Sequence, residues 1–266
     1  MITKIKRRIK RVIKNPNKLY QSNVELKRTL SGYKQAVVLG SSSSINKLNV
    51  SLFSDDLVIS VGNFFEHPNI DNIKPKIHVF AASHAPITRE VLESWWQRCD
   101  KILPKETPLL IEKRDKLVAE SVFTDRKIYY YSYGGNVPVD FTKPIMSPWS
   151  VTIVALQLAI YCEVPKTGIL GVNHDWQCLQ PYTHFYDHNK PSLEYYLHRA
   201  GIEISYEKQK QPFPKERLYR EYELYQQYEL LKRESERLGL KIYNYDPFSH
   251  FDVFSFEKKN DMIKSN

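Results

Sequence analysis

Short apolar runs recur along this chain, separated by polar or helix-like stretches: Ala36 to Leu39, Leu57 to Val61, Ile77 to Phe80, Lys127 to Ser132, Gly168 to Val172 and Leu240 to Tyr243. They are β-branched or aromatic and largely unbroken by polar positions, as expected of strands buried on both faces. Between them lie helical patterns. Val151 to Cys162 is apolar all round, which marks an enclosed helix. Lys215 to Leu238 follows Pro212 and Pro214, ends at Gly239, and sets Leu218, Tyr222, Tyr225, Leu231 and Leu238 on one side as a packing surface. The alternation predicts an α/β fold: a single Rossmann-like domain with a mainly parallel sheet and helices on both faces. The polar, aromatic stretch 176–213 is too long for a simple connection and predicts a lid insertion.

Charge changes the picture at one end only. The 266 residues carry a net charge of +9, with 39 basic and 30 acidic side chains. Eight of the cations (Lys4, Lys6, Arg7, Arg8, Lys10, Arg11, Lys14 and Lys18) fall in residues 1–18, where no acid occurs. The rest of the chain is therefore nearly neutral, and no nucleic-acid partner is expected. Ile2, Ile5, Ile9, Val12 and Ile13 share a helical face with the cations around it, and Asn15-Pro16 ends the pattern. Residues 1–20 thus read as a basic amphipathic arm for an anionic membrane surface, with the domain in 31–266. No run approaches the 18 apolar residues of a membrane span, and the arm lacks the apolar core of a signal peptide. Cys99, Cys162 and Cys178 have neither disulfide-scaffold nor zinc-site spacing. The expected location is cytoplasmic, peripheral at the inner face of the membrane.

In open α/β sheets, ligands bind beyond the carboxyl ends of strands. There the chain offers Gly40 followed by Ser41, Ser42, Ser43 and Ser44, a loop suited to close backbone approach and phosphate contact. It also offers Gly171, Asn173, His174 and Asp175, with His184 further on.

With these stretches in view, the chain resembles the bacterial sialyltransferases of glycosyltransferase family 42 and the related hydroxymethylpterin-pyrophosphokinase-like proteins, in ordered patches from Ala36 to Phe254. The family's first nucleotide loop, Gly-Asn-Gly-Pro-Ser, is matched by Gly40 and Ser44, with Ser41 in place of the asparagine. Its second nucleotide asparagine is matched by Asn63, before Phe64-Phe65. A third asparagine position reads Ala82-Ser83-His84 here. The family's Thr-Ser-Gly turn falls at Met146-Ser147-Pro148-Trp149-Ser150, and its Gly-Ile-Asp-Phe-Tyr strand end at Gly171-Val172-Asn173-His174-Asp175-Trp176. The family's catalytic histidine, followed by an aromatic residue, corresponds best to His184 before Phe185-Tyr186, with His188 and His174 in reserve. Lys241 to Ser249 resembles the closing strand and its proline-containing turn.

The resemblance implies an inverting transfer from a CMP-activated sugar, sialic acid-like or Kdo-like, to a cell-surface glycan or glycolipid. A neutral imidazole, with its ordinary pKa near 6.5, suits removal of the acceptor hydroxyl proton. Tyr182 or Tyr186, the Gly40 loop and a helix N-terminus would stabilise the departing phosphate. No Asp-x-Asp pair occurs, so metal-independent transfer without a cofactor is expected. The spacing of His174, His184, His188 and His198 gives no helical pair backed by an acid, which argues against a metal site. A second copy of the chain is an allowed partner. Competing readings are a pyrophosphokinase-like phosphotransferase, for which Asp175 and Asp187 are the available carboxylates, and a non-catalytic nucleotide-binding protein of polysaccharide assembly.

Overall fold

The computed structural model describes residues 16–174, 184–186, 192–202 and 214–264. Residues 1–15 of the expected arm, most of the expected lid, and Asp175, Tyr182 and His188 lie outside the described residues. Eight strands form one sheet: β1 (Gln35–Leu39), β2 (Leu57–Val61), β3 (Ile77–Val79), β4 (Leu109–Glu112), β5 (Ile128–Tyr131), β8 (Lys166–Leu170), β9 (Lys241–Asn244) and β10 (Ser255–Phe256). Their order is β10-β9-β8-β1-β2-β3-β4-β5, and every pairing is parallel. A separate pair, β6 (Tyr133–Gly135) and β7 (Ile145–Met146), lies outside it.

The apolar runs are continuous because both faces are covered. Val37 and Leu39 of β1 enter one core with Phe64, Phe65 and Trp96, while Ala36 and Val38 enter the other with Ile153, Leu156 and Tyr228. The first core is closed by α3 (Arg89–Ile102), α4 (Lys116–Val122) and the short α2 (Ile70–Ile73) and α6 (Leu193–Arg199). The second is closed by α1 (Pro16–Leu30), α5 (Val151–Tyr161) and α7 (Pro214–Arg237). Among the described residues no helix is long and apolar enough to cross a membrane.

Three details differ from the sequence pattern. Residues 16–30, of which 16–20 fall in the expected arm and 21–30 in neither arm nor domain, form α1, with proline at the position where its missing N–H costs nothing. Asn23 donates to the Tyr130 and Phe141 carbonyls, which ties α1 to β5, and the Tyr20–Ser132 and Glu25–Lys127 contacts make the two antiparallel. The four-residue β4 was not expected. Leu231 is buried and Tyr225 packs against the core as expected, but Leu218 and Tyr222 of α7 and Leu238 just past it are exposed, and Leu224 and Tyr228 complete the buried stripe.

β1 has β2 on one side and β8 on the other, so the winding reverses between β1 and β8. A ligand crevice is expected beyond the carboxyl ends of those two strands.

Candidate active site

The β1 and β8 ends are bonded to each other through their backbones. Gly40 N–H donates to the Leu170 carbonyl at 2.8 Å, and Ser42 N–H to the Gly171 carbonyl at 3.0 Å. These two N–H groups are therefore committed within the protein, contrary to the expectation of an open amide cradle. Gly40 is glycine for packing: a Cβ there would lie 2.4 Å from the Gly171 oxygen. Gly171 has φ +65° and faces Ile45, so it too resists a side chain.

The junction is held from below by Asp246, which is fully buried. Its carboxylate accepts from the Ser44 hydroxyl at 2.5 Å, from Gly171 N–H at 3.1 Å and from Phe248 N–H at 2.9 Å. Ser44 thus points into the protein and builds the loop. Asp246 was not singled out from sequence, although Asn244 and Asp246 form a local turn in which Asp246 N–H donates to Asn244 Oδ1. That turn was the available signal.

His184 stands over the β1 loop. It forms an isolated antiparallel bridge with Ser42, and Phe185 N–H donates to the Ser41 carbonyl at 2.9 Å. Asn46 Nδ2 donates to the Phe185 carbonyl at 3.1 Å, and the Phe185 ring packs against Phe64 and His67. The Nδ1 of His184 lies 3.2 Å from the Ser41 carbonyl. A carbonyl only accepts, so Nδ1 carries a proton, and when the ring is neutral its lone pair is on Nε2. Tyr186 stacks on the imidazole with centroids 4.9 Å apart.

His174 is placed differently. It follows β8 at φ +49°, and its Nε2 is 2.6 Å from the Tyr228 hydroxyl. Tyr228 is in turn bonded to the Thr152 hydroxyl, and Thr152 Oγ1 lies 2.8 Å from Ser150 Oγ. Ser150 caps the N-terminus of α5, accepting from Thr152 N–H. A chain of polar groups thus joins the β8 end to the α5 N-terminus. Tyr228 and Phe251 pack about the His174 ring, and burial pushes its pKa down to about 4, keeping it neutral. Tyr228 and Thr152 were not foreseen, because their partners are distant in sequence.

Asn173 donates from Nδ2 to Ser42 Oγ at 2.8 Å, while its buried Oδ1 has no hydrogen-bond partner among the described residues. Turned the other way, the amide would orphan its nitrogen instead, so the site holds one unmet polar atom that a ligand could satisfy. Asn63, past β2, accepts from Trp95 Nε1 at 2.6 Å. Where the third asparagine was sought, Ser83 is bonded through its N–H and hydroxyl to the buried Asp115. The structure therefore gathers Gly40, Ser41, Ser44, Gly171, Asn173 and His184 at one junction, with His174 and Ser150 linked to it through Tyr228 and Thr152. Among the described residues no three His, Cys, Asp or Glu side chains converge as a metal site.

No family model matches this chain, and no curated protein matches it. Solved structures similar to it include two of sialyltransferases. One is the sialyltransferase CST-II in complex with trisaccharide acceptor and CMP: TM-score 0.49 and 11% identity, covering 88% of this chain and 91% of that one. The other is the sialyltransferase CstII from Campylobacter jejuni in complex with a substrate analogue, CMP-3FNeuAc: TM-score 0.47 and 12% identity at the same coverage.

Proposed function

We propose that this chain is an inverting, metal-independent glycosyltransferase that moves a sialic acid-like or Kdo-like sugar from a CMP-activated donor to a cell-surface glycan or glycolipid. The observation that carries the reading is the hydrogen bond from His184 Nδ1 to the Ser41 carbonyl. It makes Nε2 the accepting nitrogen whenever this imidazole at the β1–β8 crevice is neutral.

In the proposed reaction the acceptor hydroxyl attacks the anomeric carbon of the donor while its proton passes to His184 Nε2. The bond from that carbon to the phosphate oxygen breaks, and CMP leaves with the electron pair. One displacement inverts the anomeric centre. The α5 N-terminus and the Ser150 hydroxyl are suited to the phosphate, since unsatisfied helix amides favour anions. The unmet polar atom of Asn173 is suited to a polar group of the nucleoside. Tyr182, Tyr186, Asp175 and His188 complete the proposed substrate contacts, and the basic arm brings the enzyme to an anionic membrane surface.

Thermal unfolding with CMP, CDP, UDP, GDP and ATP, each with EDTA or magnesium, tests the donor class. A ligand at a hundredfold its dissociation constant adds about 2.7 kcal/mol of stability. Stabilisation by CMP or CDP in EDTA is the expected result. A response to ATP alone, and only with magnesium, would sink the reading in favour of phosphotransfer.

A further inference from the structure

His184 meets the body of the domain through one isolated bridge, to Ser42, and the chain bends directly after it at Phe185 and Tyr186. A single bridge fixes one point of a chain and leaves it free to swivel about that point; a second fixed point sets its direction. Phe185 supplies the second. Its N–H donates to the Ser41 carbonyl, its carbonyl accepts from Asn46 Nδ2, and its ring is buried in the first core at 6% exposure, while the neighbouring His184 is only half-buried. The Asn46 side chain that contributes to this hold stands on an exposed residue, so burial of the ring is the larger contribution.

The ring is received by the turn that ends β2. That turn, Gly62–Glu66, begins with Gly62 at φ +56° and turns Phe64 into the first core, fully buried. His67 follows and is also buried. Its N–H donates to the Phe64 carbonyl at 3.0 Å, its carbonyl accepts from Ile70 N–H at 3.0 Å, and its Nδ1 accepts from Asn69 N–H at 3.2 Å. The imidazole lies flat on Phe64, with centroids 5.2 Å apart and 4° between the planes. Phe185 tilts against both rings, at 57° and 5.4 Å to Phe64 and at 54° and 5.5 Å to His67. Tilted contacts set the positive edge of one ring against the negative face of another, so they select an orientation as well as a place.

We propose that Phe64 and His67 are positioning residues for the transfer: they seat Phe185 and thereby hold His184 where it takes the acceptor's proton. The inference rests on His184 being the base. The bond from Nδ1 to the Ser41 carbonyl sets the rotation of the imidazole, and the seat of Phe185 sets the backbone that carries it. A base must stand within hydrogen-bond reach of the proton it removes, and a misplacement of about 1 Å costs roughly 10²-fold in rate. Asn63, beside Phe64 on the same turn, is held separately by Trp95 Nε1, so changes in the seat should spare it.

His67→Ala, beside His67→Phe as the variant that restores a ring, tests this in the full chain by amide hydrogen exchange and by turnover. In His67→Ala the Phe185 amide should exchange about tenfold faster or more, while the Ser42 amide, bonded to Gly171 between the strand ends, keeps its rate. Turnover of a CMP-activated sialic acid should fall about 10- to 100-fold with the dissociation constant of CMP unchanged. His67→Phe should recover most of both. Phe64→Leu, which keeps the core filled, should reproduce the His67→Ala pattern in weaker form. An unchanged Phe185 amide, equal acceleration at Phe185 and Ser42, no recovery in His67→Phe, or a weakening of CMP binding that matches the lost rate would overturn the proposal. Exchange needs no sugar donor. An unaltered chain that transfers no sugar, with the Phe185 amide accelerated in His67→Ala, would therefore sink the proposed reaction and leave the seating standing.

Discussion

His184 and His174 stand past the ends of adjacent strands, β1 and β8, yet their surroundings give them different capacities. His184 donates from Nδ1 to a backbone carbonyl, which leaves Nε2 as the accepting nitrogen. His174 commits Nε2 to Tyr228 and lies half-buried against Tyr228 and Phe251, where burial holds its pKa at about 4. An effective general base titrates near the working pH and must be able to carry charge after taking the proton. A histidine buried in this way meets neither condition. Position in the crevice nominates both residues, and the environment of each ring separates the proposed base from a strut.

That separation can be strained at several points. Gly40→Ala should cost about 3 kcal/mol or more, because the new Cβ meets the Gly171 backbone at 2.4 Å and the two strand ends must part. Loss of nucleotide-induced stabilisation alongside the lowered melting temperature would show that the junction itself forms the site. Asp246→Asn keeps the shape but sets an amide donor against either Gly171 N–H or Phe248 N–H. A loss of about 2 kcal/mol in denaturant unfolding is expected.

Tyr228→Phe removes the hydroxyl shared by His174 and Thr152 and should cost about 1–2 kcal/mol. If His174 is a strut, turnover of the folded variant should change far less than in a variant of His184. A comparable loss of turnover would merge the two roles.

The smallest effect is in the pH dependence. His174 titrates near 4 when folded and near 6.5 when unfolded, so between those values the unfolded chain binds more protons. Its contribution is complete above about pH 6.5 and is lost as pH falls toward 4, about 1 kcal/mol of it between pH 7 and 5.5. His78, buried on Ser60 and the Gly62 carbonyl with its pKa lowered to about 3, acts with the same sign. His174→Gln should therefore flatten the slope of stability against pH without abolishing it.

Much of the scaffold was legible because burial on both faces writes continuous apolar runs. β1, β2, β3, β5, β8 and β9 were found within two residues of their ends. β4 escaped because Leu109–Glu112 is short and is followed at once by Lys113, Arg114 and Asp115. The buried stripe of α7 was only partly found, at Tyr225 and Leu231, because tyrosines at 219, 222, 225 and 228 supply aromatic residues to several faces, and only packing selects Tyr228. At the site, residues marked by strand ends were visible, but their couplings were not. Ser41 and His184 are 143 residues apart, and Ser44 and Asp246 are 202 apart. Such pairings follow from β8 and β9 lying beside β1, which no local pattern states.

Turnover of a CMP-activated sialic acid in EDTA, with CMP affinity measured by calorimetry on the same samples, tests the assignment of His184 most directly. A transferase using His184 as its base should release CMP. His184→Gln should lose about 10²- to 10⁴-fold in rate while binding CMP unchanged. Equal turnover in the two proteins would contradict that role.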